Sequence, residues 1–242
     1  MTAVEPPVAA VAVVLAGAVA GHLVNRAAGR FPWAARKRSW SPGGDTPGSD
    51  GVSQPELHDR GGVAVRPPVV ELGTALLFVL AGLRFGPWEL PAFLFLAAAG
   101  VLLAVVDLQH HLLPNRVVVP STGIGAVLLL VAALGDRGTD ALLRAVLGAV
   151  VLFAVFLLLA LISPRGLGMG DVKLAGLVGL HLGWIGWGAV VVGAAAGFVI
   201  QALVAVVLLA GRRIGLRSDL PFGPAMLLGA GVAIGWSDAL LG

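Results

Sequence analysis

The apolar run AVLGAVVLFAVFLLLALI, at residues 145–162, decides the fold class of this chain. It contains no charge and approaches the roughly 20 apolar residues that cross a membrane as a helix. The rest of the chain has the same character, because hydrophobic residues make up 58% of its 242 residues and charged residues only 12%. A soluble globular protein carries about twice that charged fraction. Lipid is therefore the solvent for most of this chain.

Eight segments are apolar enough to be membrane helices. They are residues 7–25, 69–84, 91–107, 117–134, 140–162, 172–187, 188–210 and 221–240. Only a Gly- and Trp-rich stretch at 183–187 separates the sixth from the seventh, so seven spans remain an alternative. No basic residue precedes the first segment, which therefore predicts a membrane helix and not a signal peptide. The predicted fold is an all-α, polytopic membrane helix bundle with about eight transmembrane helices.

The distribution of Lys and Arg predicts the orientation of the bundle. With the N-terminus outside, the cytoplasmic segments are residues 26–68, 107–116, 163–173 and 211–220. They hold all of the 16 basic residues except Arg84, Arg137 and Arg144. Because cytoplasmic loops carry an excess of Lys and Arg, we expect the N-terminus and the C-terminus to lie outside. The cluster Arg36-Lys37-Arg38 is expected to act as a topology signal.

Composition also limits the partners and the chemistry. Basic residues that flank membrane spans account for the net charge of +3, and no basic patch interleaved with aromatic residues predicts nucleic-acid binding. The absence of cysteine excludes disulfides, thiolate zinc sites and thiol catalysis. Residues 33–68 are polar and rich in Gly, Pro and Ser, and they predict a flexible cytoplasmic loop. A first helix with its N-terminal element at 1–32 precedes this loop, and a membrane core at 69–242 follows it.

Two aspartates are candidates for chemistry, because an ionised carboxylate beside the hydrocarbon is costly and usually functional. Asp107 follows one apolar run and Asp171 precedes another. Two predicted spans separate them, and an even number of crossings returns the chain to the same side of the membrane. Both are therefore expected at the cytoplasmic end. Alternatively, Asp171 is a helix N-cap and Asp107 a solvated interfacial residue.

Two carboxylates at one depth can form an aspartic dyad. Repulsion and poor solvation keep one of them protonated while the other is ionised, and the pair titrates as a unit. The ionised carboxylate accepts a proton from water that attacks a peptide carbonyl, and the protonated one donates to the carbonyl oxygen. Gly168 and Gly170, beside Asp171, allow unusual backbone dihedrals and the approach of a substrate strand.

The surroundings of both aspartates resemble the type IV prepilin peptidase family. Gly168-Met169-Gly170-Asp171 is similar to its Gly-x-Gly-Asp signature, and Asp107 followed by Pro114-Asn115 is similar to its first catalytic segment. Three further stretches agree in order and spacing: Gly21-His22-Leu23-Val24-Asn25 with Arg30-Phe31-Pro32, Pro68-Val69-Val70-Glu71-Leu72, and Pro221-Phe222-Gly223-Pro224. A Gly-x-Gly-Asp alone is weak evidence, whereas five ordered matches on an eight-span frame are specific.

The resemblance implies an aspartyl endopeptidase of the bacterial cytoplasmic membrane. Such an enzyme removes the short basic leader of a prepilin or pseudopilin at the cytoplasmic face, with no metal or cofactor. Asp107 and Asp171 would be its catalytic pair. The loop residues that support the pair would be Gly168, Gly170, Lys173, Pro114 and Asn115. Residues that contact substrate or serve the structure would be Glu71, Asn25, Pro221 and Gly223.

The chain departs from the longer members of that family. Those members N-methylate the new N-terminus with S-adenosylmethionine, and they carry a cytoplasmic domain in which Cys-x-x-Cys pairs bind zinc. This chain has no cysteine and only the short segment 33–68 at that place, so we do not predict methylation. A bifunctional peptidase and methyltransferase is one alternative. A non-enzymatic transporter or assembly protein is the other.

The remaining polar residues have simpler interpretations. His110 and His111 would point about 100° apart on a helix, which suits a metal poorly, and they are expected to be a solvated interfacial pair. His22 and His181 are expected at the interface or buried with a hydrogen bond. Lys173 is expected to contact lipid headgroups or to raise the positive field beside the two aspartates.

Overall fold

The computed structural model describes residues 6–30, 65, 67–163, 167–212 and 220–241. Within these ranges the chain forms eight α-helices and no strand. The helices are α1 (Pro6–Gly29), α2 (Val69–Arg84), α3 (Leu90–His110), α4 (Asn115–Ala132), α5 (Gly138–Ile162), α6 (Met169–Ile185), α7 (Trp187–Ala210) and α8 (Gly223–Leu241). A π-helical segment, Ala133–Arg137, joins α4 to α5. Nearly all of the predicted loop at 33–68, including Arg36-Lys37-Arg38, lies outside the described residues.

Each of the eight predicted segments corresponds to one helix, which confirms an all-α polytopic membrane bundle. Five helices have the length and apolar character to cross a membrane by themselves. They are Val11–Gly29, Leu90–His110, Asn115–Gly135, Gly138–Ile162 and Trp187–Ala210. Helices α6 and α7 are separate elements, because the extended backbone of Gly186 interrupts them. The number of crossings and the orientation with both termini outside stay predictions.

One boundary differs from the prediction near the first aspartate. The third apolar segment was expected to end at residue 107, but α3 continues for almost another turn to His110. The N–H of His111 still donates to the carbonyl oxygen of Asp107 at 2.8 Å, and the helix ends where His111 adopts a left-handed conformation with φ 51°. Hydropathy marks the end of the apolar run, whereas backbone hydrogen bonding marks the end of the helix. Asp107 therefore belongs to the helix.

Helix α6 lies at the centre of the bundle. Every residue from Leu174 to Trp184 is buried, and α6 contacts α3, α4, α5, α7 and α8. The surrounding helices point large apolar side chains outward, among them Leu83, Leu158 and Leu203. An apolar exterior of this extent is the expected surface of a protein dissolved in lipid.

Small residues bring α5 and α6 together as an antiparallel pair. A Cβ atom at Gly148 would lie 2.6 Å from the carbonyl oxygen of Gly179 and 2.9 Å from Cα of Gly183. Close approach of this kind is how membrane helices gain packing energy without a hydrophobic driving force. The pair carries Asp171 at its loop end.

A second apolar cluster attaches the first two helices to α3. Val24 of α1 and Val70 of α2 pack with Val105 and Val106. These last two residues directly precede Asp107 in α3. The contact places the ends of α1 and α2 beside the first aspartate.

Candidate active site

Asp107 lies in the last turn of α3, and its side chain is only 4% exposed. Its Oδ2 accepts a buried hydrogen bond of 3.1 Å from the backbone N–H of Gly223, the first residue of α8. A buried carboxylate needs such a donor, because an unsatisfied one costs the full desolvation penalty. The alternative interpretation of Asp107 as a solvated interfacial residue is therefore wrong.

Asp171 is the third residue of α6 and is partly buried. Its Oδ2 accepts a hydrogen bond of 3.0 Å from the backbone N–H of Gly168. The N-cap of α6 is Gly168, so the alternative that Asp171 is itself the N-cap is wrong by three residues. Gly168 has no side chain, and only the carboxylate half of a capping box is present.

Two contacts join the segments that carry the aspartates. The ammonium Nζ of Lys173, on α6, donates to Oδ1 of Asn115, the first residue of α4, at 2.7 Å. A Cβ atom at Gly170 would lie 2.7 Å from Cβ of Leu113, so the start of α6 packs directly on the α3–α4 loop. Burial, and to a smaller extent the nearby charge of Asp107, raise the pKa of Asp171 to about 6, against the hydrogen bond from Gly168. The structure thus brings both aspartates together at one end of the bundle.

The supporting residues have roles that the sequence left open. Lys173 was expected to contact lipid or to set the local field, and its partner in the structure is Asn115. Pro114 is the N-cap of α4, where its extended backbone ends the loop that begins after His110. Among the described residues, no hydrogen bond reaches Oδ1 of Asp107 or of Asp171.

Three aromatic rings pack together at the start of α8, a contact that no sequence motif predicted. The ring of Phe222 is buried, with its centroid 5.7 Å from that of Phe156 on α5 and 5.0 Å from that of Phe198 on α7. Offset and tilted aromatic pairs of this kind add about 0.5–1.5 kcal/mol beyond their burial. Pro221 and the packed Phe222 directly precede Gly223, and they hold its N–H beside Asp107.

Asn25 and Glu71 form a second polar cluster, where α1 meets the start of α2. Asn25 is fully buried, and its Oδ1 accepts from the N–H of Val65 at 2.8 Å. Its Nδ2 donates to the carbonyl oxygen of Val65 at 2.8 Å and to Oε1 of Glu71 at 3.3 Å. Nδ1 of the exposed His22 lies 3.6 Å from the same Oε1. The amide of Asn25 thereby holds the chain that enters α2.

The other histidines lie where simple interpretations put them. His181 is fully buried, and its Nδ1 is 3.0 Å from the carbonyl oxygen of Leu177, as the expectation of a buried, hydrogen-bonded ring requires. His110 is partly buried and His111 is exposed. No group of three or more His, Asp or Glu side chains suited to a metal ion is found in the part of the chain that the structure describes.

The sequence model of the family described as type IV leader peptidase matches residues 94–212, a range that includes Asp107 and Asp171. A Bacillus subtilis protein named prepilin leader peptidase/N-methyltransferase is 34% identical over 181 residues, which are 72% of this chain and 67% of that protein. The chain belongs to the type IV leader peptidase family. Among this family's named members, a Pseudomonas aeruginosa protein with the same printed name is 31% identical over 186 residues.

Membership of the type IV leader peptidase family confirms the resemblance that the motifs carry. This member spans 62% of the length of the Pseudomonas aeruginosa protein, and the matched residues are 75% of its own chain. A Pseudomonas putida protein of the same name is 32% identical over 181 residues, 74% of this chain and 61% of that protein. No solved structure matches the chain.

Proposed function

We propose that this chain is a membrane aspartyl endopeptidase that removes the basic leader of a type IV prepilin or pseudopilin precursor. The observation that carries the proposal is the meeting of Asp107 and Asp171 at one end of the bundle. Each carboxylate has its Oδ2 held by a backbone N–H. The other oxygen of each carboxylate accepts no hydrogen bond from the described residues and is available to water and substrate, as the chemistry of an aspartic dyad requires.

The reaction uses only the two carboxylates and water. One aspartate is ionised and takes a proton from water as the water oxygen attacks the scissile carbonyl carbon, while the protonated aspartate donates its proton to the carbonyl oxygen. The tetrahedral intermediate then collapses: the C–N bond breaks, the amine nitrogen receives a proton from the carboxyl group that took one from water, and the other aspartate recovers its proton from the hydroxyl group that it had protonated. The products are the leader with a new carboxylate and the mature chain with a new amine.

The cytoplasmic face of the bacterial inner membrane is the proposed location of the reaction. The charge distribution supports it, since Arg116 and Lys173 lie beside the two aspartates, whereas Arg84, Arg137 and Arg144, on other elements, lie toward the opposite end of the bundle. Positive charge concentrates in cytoplasmic loops. The apolar exterior supports lipid as the surrounding partner.

The proposed roles of the nearby residues follow from their contacts. Gly168 and Gly170 allow the tight start of α6, and Lys173, Pro114 and Asn115 connect it to the α3–α4 loop. Of the two roles expected for Asn25 and Glu71, their contacts with the Val65 backbone favour the structural one over substrate binding.

A second candidate activity is N-methylation, since the relatives are named prepilin leader peptidase/N-methyltransferase. The chain has no cysteine to supply a thiolate zinc site, and we propose cleavage without methylation. Mass measurement of the mature product separates the two activities. A methyl group that appears only with this protein would overturn the second part of the proposal.

The test of cleavage is an assay of the membrane-embedded chain with a prepilin-like precursor. Asp107→Asn and Asp171→Asn each remove the negative charge with little change of shape, and each should lower kcat by at least about 10³-fold, as loss of a single dyad member does in a unit of this kind. Asp140→Asn, at an exposed position in the first turn of α5, is the matched control and should cleave normally. Normal cleavage by both site variants would overturn the aspartic mechanism, whereas no cleavage by the native chain would favour the non-enzymatic alternative.

A further inference from the structure

Gly223 occupies the narrow space between the two helices that carry the aspartates. A Cβ atom at this position would lie 2.7 Å from Oδ2 of Asp107, on α3, and 3.5 Å from Cδ2 of Leu174, on α6. Leu174 is fully buried and follows Asp171 by less than one helical turn. The first residue of α8 therefore touches both aspartate-bearing helices where they meet, and any larger residue would displace the Asp107 carboxylate.

The first turn of α8 also supplies a backbone N–H that is suited to bind a carboxylate. The N–H groups of a helix's first turn have no partner within the helix, and they carry the positive end of its dipole. In α8 the next residue is Pro224, which has no N–H, and the N–H of Met226 is used by the carbonyl oxygen of Phe222 at 3.0 Å. The Gly223 N–H is directed at Asp107.

The two aspartates are held differently. The hydrogen bond from Gly223 to Asp107 is buried and joins residues 116 positions apart, whereas the bond from Gly168 to Asp171 is exposed and joins residues three positions apart. A hydrogen bond in a buried, low-dielectric setting is electrostatically stronger than one in water. Burial disfavours the ionised form of Asp107, and the buried donor offsets part of that cost, whereas the donor to Asp171 lies at the surface and is weaker.

From this geometry we infer that Gly223 is the positioning residue that makes Asp107 the ionised base of the pair and leaves Asp171 as the acid. The inference rests on the proposed function. The Phe222, Phe156 and Phe198 rings hold the start of α8 in place, so the donor is set before substrate arrives. Besides the mutual effect of the two carboxylates, the titratable group whose charge acts on Asp107 is His111, at the end of α3.

The first test compares Gly223→Ala with Gly231→Ala, a substitution on the same helix where an added Cβ meets nothing within 4 Å. Gly223→Ala should lower kcat about ten- to a hundredfold, as displacement of a catalytic group by around 1 Å does, with KM changed less than twofold. Because a carboxylate that loses its donor is protonated more readily, the acid limb of the pH–rate profile should move to higher pH while the alkaline limb stays. Kinetics equal to those of Gly231→Ala would overturn the inference and leave the proposed function intact.

A second test needs no activity. The cost of Gly223→Ala in the thermal unfolding midpoint should be large in the native background and small in Asp107→Ala, where the obstructing Oδ2 is gone. Equal costs in both backgrounds would contradict the contact on which the inference depends.

Phe222→Leu keeps Gly223 and apolar volume but removes the ring contacts, and it should move the acid limb of the pH–rate profile in the same direction as Gly223→Ala, by a smaller amount. Absence of cleavage by the native chain would instead remove the proposed function together with the inference.

Discussion

Nζ of Lys173, on α6, donates a hydrogen bond to Oδ1 of Asn115, on α4, at 2.7 Å across 58 residues of sequence. Lys173 follows Asp171 on α6, and Asn115 begins the helix that follows Asp107 and the α3–α4 loop. The bond, together with the packing of Gly170 on Leu113, links the start of α6 to the α3–α4 loop. The relative position of the aspartates therefore depends in part on a polar contact at the surface of the bundle.

Loss of this contact should weaken cleavage without abolishing it. Lys173→Met and Asn115→Ala should each lower kcat about three- to tenfold, because a typical hydrogen bond contributes only about 0.5–1.5 kcal/mol. The double variant should be no worse than the more impaired single variant, which a double-mutant cycle measures. Arg116→Met removes a neighbouring exposed positive charge and should leave kcat unchanged. Additive losses in the double variant would mean that the two side chains act separately.

Asn25 should be essential for stability. Asn25→Ala leaves the N–H and the carbonyl oxygen of Val65 without their side-chain partner, and the cost should be about 2–4 kcal/mol in the free energy of unfolding in detergent. Asn25→Asp keeps an acceptor but places a second carboxylate near Oε1 of Glu71, so it should be at least as damaging. His22→Gln changes an exposed residue of the same cluster and should cost under about 0.5 kcal/mol. A fully stable Asn25→Ala would contradict the structural role of this amide.

The α5–α6 contact should not tolerate an added methyl group. Gly148→Ala introduces a Cβ 2.6 Å from the carbonyl oxygen of Gly179, and it should lower the thermal midpoint through a loss of about 1–3 kcal/mol. Gly123→Ala, on α4, meets nothing within 4 Å and should be neutral or slightly stabilising, since Ala favours the helix. If both substitutions have the same effect, helix propensity and not close packing controls this position.

The natural absence of cysteine makes orientation directly testable. A single cysteine at Leu112, exposed in the α3–α4 loop, should react with a membrane-impermeant thiol reagent only from the cytoplasm. A single cysteine at Asp140, exposed at the start of α5, should react only from the outside. The control is the native chain, which should not be labelled. The reverse pattern of labelling would invert the predicted topology.

The helices of this chain were predictable because each begins and ends with a change in hydropathy. Apolar runs such as 145–162 leave no doubt about their environment, and the motif residues Asp107 and Asp171 stand at their edges. What hydropathy could not predict is which faces meet. A membrane helix that is apolar on every side has no amphipathic stripe to point inward, so the partnership of Gly148 with Gly179 depends on shape alone.

Contacts between segments that are far apart in the chain also could not be predicted from the sequence. Gly223 was recognised as part of a motif, yet its bond to Asp107 spans 116 residues and depends on how α8 packs against α3 and α6. Val65 carries no signal at all, because Asn25 binds its backbone and not its side chain. Backbone donors and acceptors are the same at every position, so a sequence pattern cannot mark them.

The central position of α6 has a consequence for how the protein is made. Helix α6 has 17 residues, with Asp171 and Lys173 near its start and His181 in its middle, which is a poor combination for partition into lipid by itself. Its most extensive contact is with α5, and α5 leaves the ribosome just before α6. We therefore expect the two to enter the membrane as one hairpin, and the end that carries Asp107 and Asp171 to stay open to water until α7 and α8 have been synthesised and close around it.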